Sequence, residues 1–159
     1  LHFERVDLAL LAKQSVVLSK FYSNFSGTVQ YEIDEHLTEV SLDRNQMGQV
    51  FLNLINNAFE ALVDAQTNNP TLLINIKNID SGVLVTITDN GPGITQNVLD
   101  NLLASCYSTK EYGLGLGLSI CRKIIEGHGG CFKIEKNTVG EGTVCSFRLP
   151  MQTSGSNNE

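Results

Sequence analysis

Helical periodicity runs unbroken from Asp43 to about Gln66, the longest such stretch in the sequence. Asp43-Arg-Asn-Gln46 has the form of a capping box, an acceptor with a glutamine three residues on, and Asn68-Asn69-Pro70 stops the run. At about 100° per residue, Met47, Phe51, Leu54, Ile55, Ala58, Leu62 and Ala65 share one side, the expected core stripe. A helix this long with one apolar side needs a broad layer to lie on.

The flanking segments supply that layer. Thr28–Ile33 alternates with Val29, Tyr31 and Ile33 on one face, and Val40 closes a further short strand. Thr71–Ile79 and Gly82–Thr88 read as a hairpin around Asp80-Ser81-Gly82, and Cys131–Lys136 with Thr143–Leu149 as a closing pair. Residues 7–23 form an amphipathic helix through Leu8, Leu11, Val17, Leu18 and Phe21. A short helix is expected over 95–104, and another from Gly115 to Gly127. The pattern predicts an α/β (α+β) two-layer sandwich, one sheet of about five strands with helices on one face. Residues 1–24 read as a helix leading in from a neighbouring domain, 25–150 as the domain itself, and 151–159 as a polar tail with no reason to order.

At 159 residues the chain suits one domain with its own core. Its net charge of −6 argues against a sequence-independent nucleic-acid binder, which needs a basic face. No apolar run reaches the roughly 18 residues of a membrane span, so no membrane contact is expected of this segment. Cys106, Cys121, Cys131 and Cys145 lack the spacing of a zinc site and read as reduced, partly buried thiols, which favours a cytoplasmic compartment.

Three motifs carry chemistry. On the long helix, Asn53, Asn57, Glu60 and Asp64 recur at spacings of four, three and four, a second stripe with Asn56 at its flank. A solvated face is the common use of such a stripe, but mid-helix asparagines cost stability, and their amide oxygens are hard, neutral ligands suited to Mg²⁺. Asp89-Asn-Gly-Pro-Gly93-Ile94 ends a hydrophobic strand and could be a plain turn; equally, it places a carboxylate at the mouth of a cleft. Gly113-Leu-Gly115-Leu-Gly117-Leu118 precedes a helix, so its N–H groups are free to meet a phosphate. Eight of the 14 glycines fall between Gly91 and Gly130, where the backbone must bend tightly or admit a ligand. Neither the Rossmann nor the Walker fingerprint is present, and no protein-kinase H-R-D or D-F-G occurs.

In this order, Asn53-Leu-Ile-Asn-Asn57-Ala-Phe-Glu60-Ala61, Asp89–Ile94 and Gly113–Ile120 resemble the N, G1 and G2 boxes of the sensor histidine kinase ATP-binding domain. Ser108-Thr109-Lys110, His128-Gly-Gly130 and Gly140-Glu-Gly-Thr143 are similar to its lid and closing segments. The resemblance covers about residues 28–150 and implies a Bergerat-type fold, a mixed sheet backed by three helices with ATP under a mobile lid. It implies Mg²⁺ on Asn57, with Asn53 supporting the same region, and an adenine hydrogen bond to Asp89 aided by Thr143. It further implies phosphate contacts from Thr109, Lys110 and the Gly113, Gly115 and Gly117 backbone. Gly91, Gly93 and Ile94 would shape the adenine wall, with Glu60, Ala61, Leu114, Leu116 and Leu118 lining the pocket. Where the family commonly has Phe-x-Pro-Phe before the lid, this chain has Leu103-Ala-Ser-Cys106, and its lid is short.

The implied reaction moves the γ-phosphoryl of ATP to a histidine on a separate dimerisation domain of the same protein, and from there to a response regulator. His2, His36 and His128 lack the context of a phosphoacceptor, so the chain alone is expected to bind Mg·ATP without phosphorylating itself. The domain is expected to be a monomer and the parent a homodimer, cytoplasmic, with anchoring of the parent in an inner membrane left open. The rivals are an ATPase of the gyrase, Hsp90 and MutL kind, an anti-sigma serine kinase, and a nucleotide-sensing module without catalysis. The enzymes among these carry a glutamate one turn before the metal asparagine, where this chain has Asn53; an amide cannot take a proton from water.

Overall fold

The computed structural model describes residues 1–97, 99–100 and 115–151, the side chain of Leu116 excepted. Strand β1 (Phe3–Val6) and helix α1 (Leu8–Tyr22) lead into β2 (Thr28–Ile33), β3 (Val40–Asp43) and the long helix α2 (Arg44–Asp64). The hairpin β4 (Thr71–Ile79) and β5 (Gly82–Asp89) follows, then α3 (Gly115–Gly127), β6 (Cys131–Lys136) and β7 (Thr143–Pro150). Helical backbone also occurs at 96–97 and 99–100; the remainder of the helix expected over 95–104 lies outside the described residues.

Five strands form one mixed sheet in the order β2-β4-β5-β7-β6, with β2 parallel to β4 and every other pair antiparallel. Together with three helices this is the Bergerat-type sandwich. Helix α2 is the crossover that lets β2 and β4 run parallel. Its N-cap Asp43 accepts from the Gln46 N–H at 3.1 Å, as the capping box requires.

Alternation along the strands puts Leu72, Ile74 and Ile76 of β4 and Val83, Val85 and Ile87 of β5 into the core against α2. From the helix side come Met47, Val50, Phe51, Leu54, Ile55, Ala58, Phe59 and Leu62. Val50 and Phe59 widen the stripe expected from the sequence, and Ala65 leaves it, exposed at the C-cap. Phe59 is claimed by Phe25, whose ring stacks on it at 4.0 Å.

Two features depart from expectation at the N-terminus. Phe3–Val6 is a strand, paired antiparallel with β3 through Phe3↔Asp43 and Val6↔Val40. Helix α1 buries Leu8, Leu11, Ala12, Ser15, Val16 and Ser19, while Val17 and Phe21, assigned to its core face, stand 70% and 79% exposed. The buried face thus mixes small residues with Leu8, Leu11 and Val16, and the Ser15 hydroxyl hides its polarity by donating to the Leu11 carbonyl at 2.8 Å. No helix among the described residues is long and apolar enough to cross a membrane.

Candidate functional site

A cleft opens at the end of β5, walled by α2, α3 and β7. Leu54, Asn57, Ala58 and Ala61 line it from α2, Ile87 and Asp89 from β5, Gly93 and Ile94 from the following loop. Leu118 of α3, Ile134 of β6, and Thr143 and Cys145 of β7 complete it. Its wall is thus aliphatic, with a few polar groups converging on it.

Asp89 is the last residue of β5 and only 8% exposed. Oδ1 accepts from the Gly91 N–H at 2.9 Å and from the Thr143 N–H at 3.3 Å, and no described donor meets Oδ2. Burial pushes the Asp89 carboxyl above the ordinary carboxylate range, and the two N–H bonds pull the other way. The backbone around it is packed too tightly for side chains. Gly142, at φ 115°, lies directly on the Asp89 carbonyl, where a Cβ would overlap. Gly93, at φ 78°, would bring a Cβ to 3.3 Å from the Gly142 carbonyl oxygen. Asn90 anchors the other side, accepting from the Thr71 N–H at 2.7 Å and donating to the Asn69 carbonyl at 2.9 Å.

The asparagines face α3. A Cβ on Gly117 would stand 3.8 Å from Asn53 Cγ and 3.9 Å from Asn57 Nδ2, ordinary contact distances, so the N-terminal turn of α3 lies against both asparagines. Asn53 lies beside the Cys121 thiol. Asn57 Nδ2 is buried without a hydrogen-bond partner. An unsatisfied buried amide is costly unless something completes it. Two neutral amides with hard oxygens, beside a helix N-terminus, fit a divalent cation and a phosphate together.

Of the residues singled out in the sequence, Asn57, Ala61, Asp89, Gly93, Ile94, Leu118 and Thr143 line the cleft, with Asn53, Gly91 and Gly117 bordering it through their contacts with Cys121, Asp89 and Asn57. Gly115 begins α3, as does Leu116. Glu60 lines a different depression of about 330 Å³, with Tyr22, Asn24, Asn56 and Asp64. The stripe Asn53, Asn57, Glu60, Asp64 is therefore divided between two sides of α2. Thr109, Lys110, Gly113 and Leu114 lie outside the described residues, as does the Leu103–Cys106 segment.

The site residues read from the motifs do not include the lining residues Leu54, Ala58, Ile87 and Ile134, nor Cys145. Strand alternation would have found it, two residues from Thr143 and paired across the sheet with Ile87 and Ile134. Burial first, then the nearby Asp89 and Cys121, push its thiol up to about 12, and burial likewise pushes the Cys121 thiol up to about 12.

Comparison with known proteins agrees with this arrangement. A family model described as histidine kinase-, DNA gyrase B-, and HSP90-like ATPase matches residues 42–153. The sensor protein FixL of Bradyrhizobium diazoefficiens is 37% identical over 122 residues, 77% of this chain and 24% of that protein. This chain spans about a fifth to a quarter of the length of such curated relatives. The catalytic domain of histidine kinase ThkA superposes with a TM-score of 0.78 at 30% identity, covering 94% of this chain and 97% of the domain. ThkA in complex with the response regulator protein TrrA matches with a TM-score of 0.75 at 30% identity, covering 94% of this chain and 42% of that one. On these matches the chain belongs to the histidine kinase-, DNA gyrase B- and HSP90-like ATPases, as a domain of the sensor histidine kinase kind.

Proposed function

We propose that this domain holds Mg·ATP between α2 and the glycine turn of α3 and presents its γ-phosphoryl to a histidine on a separate domain of the same protein. The observation that carries the reading is the placement of Asp89 and Asn57 on one cleft whose third wall is the N-terminal part of α3. Asp89 accepts a hydrogen bond from the adenine amino group; Thr143 holds that carboxylate in place, and Gly91, Gly93 and Ile94 form the wall beside the base. Ala61 and Leu118 pack the aliphatic side. Asn57 is the metal ligand and Asn53 supports it, with Glu60 at the outer edge of α2. Lys110 and Thr109 meet phosphate, and the backbone N–H groups of Gly113, Gly115 and Gly117 cradle it, with Leu114 and Leu116 closing over the nucleotide. Mg²⁺ supplies charge neutralisation on the phosphate oxygens.

The residues present favour an imidazole over water as acceptor. Asn53, one helical turn before Asn57 on α2, stands where a general base would have to be, and an amide cannot serve. An imidazole nitrogen needs no such help: it attacks phosphorus, the bond from phosphorus to the bridging oxygen breaks, and ADP leaves. The phosphoryl group then passes to a response regulator, the partner class with which ThkA has been captured. The parent protein acts as a cytoplasmic-facing homodimer and this domain as a monomer.

Thermal melting with ADP or ATP and Mg²⁺, set beside the Asp89→Ala variant, tests the nucleotide site; a wild-type melt unmoved by nucleotide overturns it. Incubation with ³²P-ATP and a purified phosphoacceptor domain from a related sensor kinase tests the reaction. Labelled, acid-labile phosphate on that domain and none on this chain is expected, and rapid labelling of this chain alone contradicts the assignment.

A further inference from the structure

Helices α2 and α3 lie antiparallel, and their contacts step along both. Gly117 sits against Asn53 and Asn57, the Cys121 thiol points to the Val50 carbonyl at 3.8 Å, and at the far end His128 meets Asp43. His128 follows the last residue of α3 and is 7% exposed; Asp43 is the N-cap of α2. The ring makes two hydrogen bonds. Nδ1 lies 2.7 Å from the Ile124 carbonyl oxygen, which can only accept, so Nδ1 carries the proton. Nε2 lies 3.0 Å from the Asp43 backbone nitrogen, which can only donate, so Nε2 is bare. One neutral tautomer satisfies both partners. The edge-on ring of Phe3, with centroids 5.1 Å apart, closes the site from β1.

We propose that His128 is a positioning residue, whose neutral ring pins α3 to the N-terminus of α2 and so keeps Gly117 seated on Asn53 and Asn57, and whose protonation loosens nucleotide binding. The inference rests on the nucleotide reading given above. Protonation puts a hydrogen on Nε2 directly against the Asp43 N–H, so two donors face each other and the ring or the cap must move. Because both helices are stiff, a shift at this end changes their separation at the other.

Charged and titratable groups lie near the ring on the N-terminal segment, α2 and α3, with His2 beside the Asp43 carboxylate among them. The Asp43 carboxylate accepts from the His2 and Gln46 N–H groups. Glu4 of β1 pairs with Arg44 at 3.1 Å, and Arg122 with Glu126 on α3 at 2.8 Å. The C-terminus of α3 favours a cation, but the nearest carbonyl already takes its hydrogen bond from the neutral ring, so that attraction does not replace the lost acceptor.

The test follows the ¹⁵N resonances of the His128 ring in the full chain across about pH 5.5 to 8, with and without Mg·ADP. By reciprocity, a ligand weakened about tenfold by protonation lowers the ring's titration midpoint by about one unit. In parallel, ADP affinity is measured by calorimetry for the wild type and His128→Gln, whose amide oxygen accepts from Asp43 without titrating. The wild type should lose about tenfold more affinity between pH 8 and 5.5 than the variant, the nucleotide's own phosphate titration being common to both. A midpoint unmoved by ADP, or parallel losses in the two proteins, overturns the inference alone. Failure of the wild type to bind ADP at pH 8 overturns the nucleotide reading and the inference with it.

Discussion

The backbone N–H of Thr143 donates to Asp89 Oδ1 at 3.3 Å, joining the start of β7 to the end of β5 across 54 positions of sequence. This bond and its shorter companion from Gly91 both fall on one oxygen, so the carboxylate is oriented without being used up.

Asp89→Asn keeps an oxygen for both donors and removes the buried charge. A carboxyl raised by burial binds protons more readily in the folded chain than in the unfolded one. Its contribution to stability is therefore fully present below the ordinary carboxylate value and is lost as pH rises through the raised one. At pH 7 the asparagine variant should melt above the wild type, and the gap should close toward acid pH. Nucleotide reports the opposite, because an amide NH₂ facing the adenine amino group sets donor against donor. ADP affinity should fall by about 100-fold or more, measured by calorimetry, a loss typical of a buried polar mismatch.

Asn57→Ala should leave the fold intact, since its Nδ2 makes no hydrogen bond whose loss would count. ATP affinity should drop by about tenfold or more, and the Mg²⁺ dependence of binding should largely disappear. In the wild type, EDTA should reproduce that loss. A chain carrying −6 overall has little other positive field to offer a triphosphate. Titration of nucleotide at fixed and zero Mg²⁺ for both proteins distinguishes a metal ligand from a packing residue.

Gly142→Ala should be severe. The residue sits at φ 115° with the Asp89 carbonyl against it, so a methyl group meets both an unfavourable backbone and a steric overlap. Together these cost about 3 kcal/mol or more, a drop of roughly 6–12 °C in melting temperature for a chain of this size. Any surviving folded protein should also bind nucleotide poorly, because Asp89 is what moves.

Motif order and period carried most of the fold into the sequence. The α2 cap, the β4–β5 hairpin and the limits of α3 follow local rules and stand where those rules put them. What was not legible depends on partners distant in the chain. Strand β1 is four residues long with two charges, and only its pairing with β3 makes it a strand. The apolar residues of α1 point to a face with Val17 and Phe21, yet the buried face takes Ala12, Ser15 and Ser19 beside Leu8, Leu11 and Val16, which local hydropathy does not mark. Glu60 shares a stripe with Asn53 and Asn57 only on an isolated helix; a second depression takes it once α1 is in place. Cys145 was hidden for another reason, since a thiol on a strand resembles any small core residue until the cleft beside it is known.

The thiols give a probe of that cleft. Cys131 is exposed, whereas Cys121 is buried and Cys145 half-buried, in surroundings that push both thiols to about 12. At pH 8 a disulfide reagent such as DTNB should modify Cys131 at once and leave Cys121 and Cys145 until denaturant is added, Cys106 being replaced by serine beforehand. Mass spectrometry of the labelled peptides reads this out. Cys145 reacting as fast as Cys131 would mean that the cleft floor is open to solvent.

Two glycines in helices separate stability from binding. Gly48 lies within α2, and a Cβ there would meet only Leu11 Cδ1, at 3.8 Å, an ordinary contact. Gly48→Ala should therefore raise stability by about 0.5–1 kcal/mol through helix propensity, seen as roughly 1–4 °C in the melt, with ADP affinity unchanged. Gly117→Ala gains from the same propensity, and its Cβ also finds room, 3.8 Å from Asn53 and 3.9 Å from Asn57. That room is where the asparagines and the first turn of α3 meet a ligand, so the methyl group should weaken Mg·ADP binding while the apo protein melts no lower than the wild type. Equal affinity in the two variants would place the nucleotide away from the Asn53–Gly117 contact.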